Sequence, residues 1–215
     1  MDASSHCPNA RLNACPNERP NERPILLTGA TGRWHAETEA EIVRSGRPYT
    51  FFRPYCFMQN LVAQIDRIRE SGLIQAAVGP ARIALVDVRD IAEVVASTLS
   101  GQTPMPNETR ALTGPAALNY REIAAVFSEA LGRPVSYQEQ TLDAVRQRLA
   151  QSNLPPWRAE QLLSFTRAFA EGQASQLDDT IAKVLARPPR SLRQVLDDAL
   201  KTPRRTGPLG HGAPA

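Results

Sequence analysis

No uninterrupted apolar run in the 215-residue chain approaches the roughly 20 residues that a membrane-spanning helix needs. The N-terminus also lacks the basic-then-apolar layout of a secretory signal. A cytoplasmic protein with no membrane partner is expected. Cysteine is scarce: Cys7, Cys15 and Cys56 form no C-x-x-C pair and have no histidine spacing that would complete a zinc site, so reduced thiols and no metal are expected. Lysine occurs only at Lys183 and Lys201, and the arginines that carry the net charge of +3 are scattered. A nucleic-acid footprint would gather basic residues on one face beside aromatic partners, so direct nucleic-acid binding is not expected. No tyrosine is followed four residues later by lysine, so a Tyr-x-x-x-Lys acid/base pair is absent. Gly-x-Ser-x-Gly and Gly-Lys-Ser motifs are absent as well.

The clearest positive feature is Pro24-Ile25-Leu26-Leu27-Thr28-Gly29-Ala30-Thr31-Gly32, a short apolar strand running into a glycine turn. Such a turn lets backbone N–H groups approach a diphosphate, and the helix that follows favours its charge. The full fingerprint places another small residue three positions after Gly32, where this chain has His35. The turn therefore reads either as a dinucleotide-binding start or as an ordinary strand-to-helix turn.

Residues 1–23, which repeat Asn-Glu-Arg-Pro, offer little to bury and are expected to be disordered. A helix is expected over His35–Ser45, with Glu37, Glu39 and Glu41 early and Gly46 as its stop, followed by a strand over Pro48–Arg53 whose pairing Pro54 ends. Together with the first strand these make a βαβ unit. Phe57–Glu70 has helical period, Ile83–Val88 reads as a strand buried on both faces, and a helix from about Asp90 to Leu99 follows. Thr109–Thr113 is a further strand, and Asn119 caps a helix over Tyr120–Leu131 that Gly132 stops. From Thr141 onward only helices are expected, at roughly 141–151, 156–171, 177–186 and 191–200. The chain thus divides into a truncated nucleotide-binding region over 24–140, a mostly helical cap over 141–202 and a floppy tail over 203–215. The fold class is α/β, a reduced Rossmann-like parallel sheet with a C-terminal helical cap.

Several segments, in order, carry a family resemblance: Leu27-Thr28-Gly29-Ala30-Thr31-Gly32, Trp34-His35 with Glu39, Ser45-Gly46 with Tyr49-Thr50, Arg53-Pro54 with Phe57-Met58-Gln59-Asn60, Val86-Asp87-Val88-Arg89-Asp90-Ile91-Ala92, Leu112-Thr113-Gly114-Pro115 and Arg187-Pro188-Pro189-Arg190-Ser191-Leu192. With these the chain resembles the NmrA-like atypical short-chain dehydrogenases/reductases over about residues 24–200. The resemblance implies a Rossmann-type protein that binds NAD(P) and either reduces small molecules such as quinones or acts as a redox-sensing regulator. A sugar-nucleotide epimerase is a weaker alternative, because that class ordinarily uses the absent tyrosine–lysine pair. One departure is large: the family has several βα units between the glycine turn and the Trp-His helix, whereas here only Arg33 separates Gly32 from Trp34.

By the resemblance, Thr28, Gly29, Ala30, Thr31 and Gly32 hold the cofactor diphosphate, and Arg53 and Pro54 lie at the nicotinamide end. If Tyr49–Arg53 instead serves as the second strand, Arg53 suits the 2′-phosphate of NADP, which gives NADP a slight preference over NAD. His35 is the acid/base candidate, with Glu39 one turn away as its orienting partner. Tyr55, Phe57, Met58, Gln59 and Asn60 line the substrate pocket or, for Phe57 and Met58 especially, pack the core. Asp87 and Asp90 cap the following helix or contact the cap. With the central units missing, cofactor binding is expected to be weakened or lost. A small-molecule substrate and a second copy of the chain are the partners implied, because the shortened sheet leaves edges and apolar faces to cover.

Overall fold

The computed structural model describes residues 25–28 and 33–201. The expectations for residues 1–23 and 203–215, and those for Gly29–Gly32, fall outside the described residues. The first βαβ unit consists of β1 (Ile25–Thr28), α1 (Arg33–Arg44) and β2 (Tyr49–Pro54). Strand β2 pairs in parallel with β1 on one side and with β6 (Glu108–Leu112) on the other, giving the order β1-β2-β6. Helix α1 begins two residues earlier than expected, so its first turn carries no acidic residue.

Pro54 does not end the pairing of β2: it remains in register with Leu112. Lacking an N–H, it can join a ladder only through its carbonyl. Immediately beyond Tyr55 the chain changes partner. Strand β3 (Cys56–Phe57) pairs in parallel with β5 (Ile83–Val86), and β5 pairs antiparallel with β7 (Ala117–Leu118). All four residues of β5 are buried, as an apolar strand covered on both faces requires. The expected single sheet is therefore divided, and a third small ladder joins β4 (Leu73–Ala76) in parallel to β8 (Ser136–Glu139). These two strands show no alternation strong enough to read in the sequence; β8 carries no buried residue.

The helix expected over 57–70 is two helices, α2 (Met58–Val62) and α3 (Ile65–Ser71). At the break the N–H of Gln64 bonds the carbonyl of Leu61, three residues back, at 3.0 Å, a tighter turn than an α-helix makes. Helix α4 (Val88–Leu99) starts two residues before Asp90, because Asp87 accepts the Arg89 N–H and so caps it. Helix α5 (Tyr120–Leu131) has the expected Asn119 cap, completed by Glu122 reaching back to the Asn119 N–H, and stops at Gly132 in the left-handed conformation.

From Thr141 onward the described elements are helices: α6 (Leu142–Ala150), α7 (Pro156–Ala170), α8 (Thr180–Leu185) and α9 (Leu192–Lys201). They do not pack as one layer. Leu192, Val195 and Leu196 of α9 join Ile123 and Phe127 of α5 and Ile65 and Ile68 of α3 in the main core. Ile181 of α8 joins Phe52, Val86, Val94 and Leu112 in a second cluster beneath the parallel sheet. Only α6 and α7 form a separate small cluster, with Val145, Leu149 and Leu163 against Ala77.

Candidate active site

The register of the first sheet sets the geometry. Thr28, the last residue of β1, is paired with Phe52, so Arg53, Pro54 and Tyr55 run on past the end of β1 at the same C-terminal edge. Parallel α/β sheets bind ligands at that edge, outside the carboxyl ends of the strands. The chain turns there from β2 into β3 and then into α2, which brings Tyr55, Phe57, Met58 and Asn60 close behind Arg53.

Arg53 is engaged by α1. Its Nε donates to Glu39 Oε1 at 3.2 Å and its Nη2 donates to Glu39 Oε2, a two-point fork onto one carboxylate. This hydrogen bonding raises the guanidinium pKa against the smaller opposing effect of burial. Glu39, expected to orient His35, is thus the partner of Arg53; the side chains of His35 and Thr28 fall outside the described residues. A 2′-phosphate approaching Arg53 would share it with Glu39.

The expected substrate residues separate in character. Met58 is fully buried in the main core, where its methyl group abuts the Gly114 backbone. Phe57 is half-buried against the second cluster, and Tyr55 is half-buried against the main core. Asn60 alone is exposed, beside the Cys56 thiol. Burial pushes that thiol up to about 11, with the Asn60 contact acting in the opposite direction. Beside Cys56 the Tyr120 phenol is pushed up as well, by burial first and then by Cys56 and Tyr137, whose ring centroid lies 5.5 Å away. Tyr120 reads in the sequence only as the first residue of a capped helix, so nothing there marked its place against the main core beside Cys56.

Gln59 braces α4: its amide donates to Asp87 Oδ1 at 2.9 Å and accepts the Val88 N–H at 3.1 Å. Asp87 also holds Arg89, which continues to Asp198 on α9 at 2.8 Å. Asp90, fully buried, takes Arg187 and Arg190, and both arginines also reach Glu93. Asp87 therefore caps α4, and both aspartates tie it to the C-terminal segment, Asp87 through Arg89 and Asp90 directly.

A parallel βαβ start and parallel strands packed against helices define a Rossmann-like α/β fold. The NmrA-like family profile matches residues 33–188, and the chain belongs to the NmrA-like family. It is 33% identical over 163 residues to an NAD(P)H azoreductase of Xenophilus azovorans, covering 76% of this chain and 57% of that protein. It is 35% identical over 161 residues to a (4-alkanoyl-5-oxo-2,5-dihydrofuran-3-yl)methyl phosphate reductase of Streptomyces griseus, covering 75% of this chain and 56% of the relative. The chain thus spans little more than half the length of these relatives. In fold it is similar to the NADPH-dependent quinone oxidoreductase of Escherichia coli, with a TM-score of 0.75 at 23% identity, over 83% of this chain and 66% of that one.

Proposed function

We propose that this chain is an NAD(P)H-linked oxidoreductase acting on small organic acceptors of the quinone and azo type, with its reaction centre at the C-terminal ends of β1 and β2. The observation that supports this reading is the pairing of Thr28 with Phe52, which aligns the entry to the glycine turn with the start of the Arg53-Pro54-Tyr55 segment. A dinucleotide laid across that edge would have its diphosphate on Thr28–Gly32 and its nicotinamide toward Pro54, Tyr55 and Asn60. When bound, the cofactor supplies a hydride. The share of the protein is to position the acceptor beside Tyr55 and Phe57, to exclude water with the apolar wall that Met58 backs, and to deliver a proton, for which His35 on α1 is the candidate. Glu39 acts through Arg53, fixing α1 against β2 at this edge. With the nicotinamide beside Pro54, Arg53 lies at the end of the cofactor away from the 2′-phosphate and is forked onto Glu39, so it carries no preference for NADP over NAD. The relatives fit this substrate class, since their names specify an azo compound and a small phosphate-bearing furanone derivative.

The direct β1–β2 pairing leaves fewer strands beside the adenine half of a cofactor than a full doubly-wound sheet provides, and His35 occupies the third small-residue position of the turn. Cofactor affinity is accordingly weak. The test is NADPH oxidation by purified protein with menadione or an azo dye as acceptor, over a wide range of cofactor concentration. Acceptor-dependent oxidation that saturates only above low micromolar NADPH is the expected result. Absence of acceptor-dependent oxidation at every cofactor concentration would overturn the reading.

A further inference from the structure

Away from the candidate active site, α5 and β8 border an open groove of about 570 Å³. Its walls include Arg121, Ala125, Ser128 and Glu129 of α5 and Ser136 and Tyr137 of β8. The helix wall carries one charge of each sign, at its two ends: the eight residues from Arg121 to Glu129 rise about 12 Å. Glu129 meets Arg193 of α9 at 3.2 Å, yet its side chain stays 70% exposed, so the carboxylate is open to a second cation. Arg121 is exposed, and among the described residues no carboxylate forms an ion pair with it.

The strand wall is an open edge. Among the described strands β8 has one partner, β4. The N–H of Ser136 donates to the Gly72 carbonyl and that of Gln140 to the Ala76 carbonyl, both at 2.9 Å, so these residues turn their main-chain groups toward β4. Alternate residues of a strand turn theirs the other way, which directs the N–H and C=O of Tyr137 and Glu139 outward from the ladder. Ser128 covers the start of this edge, where its hydroxyl accepts the Val135 N–H at 2.9 Å. Among the described residues nothing does the same for Tyr137 and Glu139.

A cation at one end and an anion at the other make this surface complementary to itself. A two-fold axis through its middle reverses the helix, so that Arg121 of one copy faces Glu129 of the other, and the pair recurs at the opposite end. The same axis lays β8 antiparallel to β8, the arrangement in which Tyr137 and Glu139 of one copy exchange main-chain bonds with Glu139 and Tyr137 of the other. The spacing agrees. Helix α5 packs over both β4 and β8, and strands stand about 4.8 Å apart, so an axis beside β8 sets the two α5 helices roughly 10 Å from each other, a packing distance of helices. We propose that two copies of this chain associate about a two-fold axis through the α5–β8 groove, with α5 against α5, β8 against β8, and Arg121 paired with Glu129 across the interface. This surface is separate from the open edge of β1 and does not rest on the oxidoreductase reading.

The experiment is sedimentation of the full chain over a dilution series, for the wild type, Arg121→Glu, Glu129→Arg and an equal mixture of the two variants, with melting curves recorded for each. The wild type is expected to dissociate from dimer to monomer on dilution. Each charge reversal sets like charges opposite each other at both ends of the interface and is expected to raise the dissociation constant about tenfold or more. In the mixture each variant supplies the sign that the other lacks, so association is expected to return toward wild-type strength. Both substitutions are at exposed positions, so the variants are expected to fold. Glu139→Pro removes an outward N–H without touching the β4 ladder and is expected to weaken the dimer independently. A wild type that stays monomeric would leave the groove to some other occupant and overturn the proposal. Wild-type association in folded Arg121→Glu, Glu129→Arg or Glu139→Pro would overturn it as well, since that is the result of pairing through β1 instead, as would a mixture that associates no better than either variant alone.

Discussion

Arg190 reaches the buried carboxylate of Asp90 twice, by its main-chain N–H to Oδ2 at 2.7 Å and by its guanidinium to Oδ1, across 100 residues of chain. Arg187 adds a third bond to the same carboxylate at 2.8 Å, and both arginines also hold Glu93. The Val-Asp-Val-Arg-Asp-Ile-Ala and Arg-Pro-Pro-Arg-Ser-Leu segments thus meet in one polar cluster that fixes where α9 enters the main core. Removing one partner of a buried ion pair typically costs about 3–5 kcal/mol, because the other partner's charge stays behind. The arginines here are partly solvated, which places Asp90→Asn at the lower end of that range. A fall in Tm of roughly 6–12 °C is expected for a chain of this size, and calorimetry on the variant measures it.

Asp87 predicts how stability responds to acid. Burial works to raise its pKa, but the hydrogen bonds from Arg89 and Gln59 and the Arg89 charge together hold it below the ordinary carboxylate value. Glu93 is likewise held down, by Arg187 and then Arg190. A carboxylate with a depressed pKa in the folded state contributes stability that is present above its unfolded value, about 4, and is lost as pH falls through the folded value. Tm is therefore expected to hold between neutrality and about pH 5 and to drop below about pH 4, and Asp87→Asn should flatten part of that drop. An identical acid limb in the variant would remove Asp87 from the account.

How much of this was legible in the sequence depends on how local each feature is. The Asn119 cap, the Gly132 stop and the wholly apolar β5 carry their reason within a few residues; the cap and stop stand where the pattern placed them, and β5 ends two residues before the expected Val88 because Asp87 caps α4. The pairing of Glu39 with Arg53 joins a helix to a strand 14 residues on, and spacing within α1 alone pointed to His35 instead. Strands β4 and β8 exist because each supplies the other's hydrogen bonds, so neither has an isolated signature.

Gly114 offers a test of the junction between the sheets. Its N–H donates to the Leu85 carbonyl at 2.8 Å, and a Cβ built on it would stand 2.3 Å from that oxygen and 3.0 Å from the Met58 methyl carbon. The first contact is with backbone of a fully buried strand, which cannot swing aside as a side chain can. Gly114→Ala should therefore destabilise by about 1–3 kcal/mol or more, lowering the urea midpoint measurably. A midpoint equal to wild type would mean that β5 and the Thr113–Pro115 turn separate more easily than their packing implies.

His35 and Glu39 are expected to differ in kind. If His35 delivers the proton, His35→Ala should lower menadione turnover by roughly 10²–10⁴-fold in protein that melts normally. Glu39→Gln weakens only the hold on Arg53, so its effect should be smaller and fall more on the KM for NADPH than on kcat. Equal turnover in His35→Ala and wild type would assign the proton to another group or to water.

The shortened parallel sheet bears on assembly. Among the described residues β1 has one strand neighbour, β2, and its own sequence is the apolar Ile25-Leu26-Leu27. In a full doubly-wound fold the strand that precedes the glycine turn is flanked on both sides and covered by helices on both faces. An apolar strand with an open edge invites pairing with another chain, and apolar patches of more than a few hundred Å² seldom persist on soluble monomers. Freshly purified protein is therefore expected to run as a dimer or larger species, with the population shifting toward monomer on dilution. Light scattering coupled to size-exclusion chromatography reads this directly. A monodisperse monomer that melts cooperatively at high concentration would show that the β1 edge and faces are covered within one chain, and the self-association expected from the reduced sheet would fall.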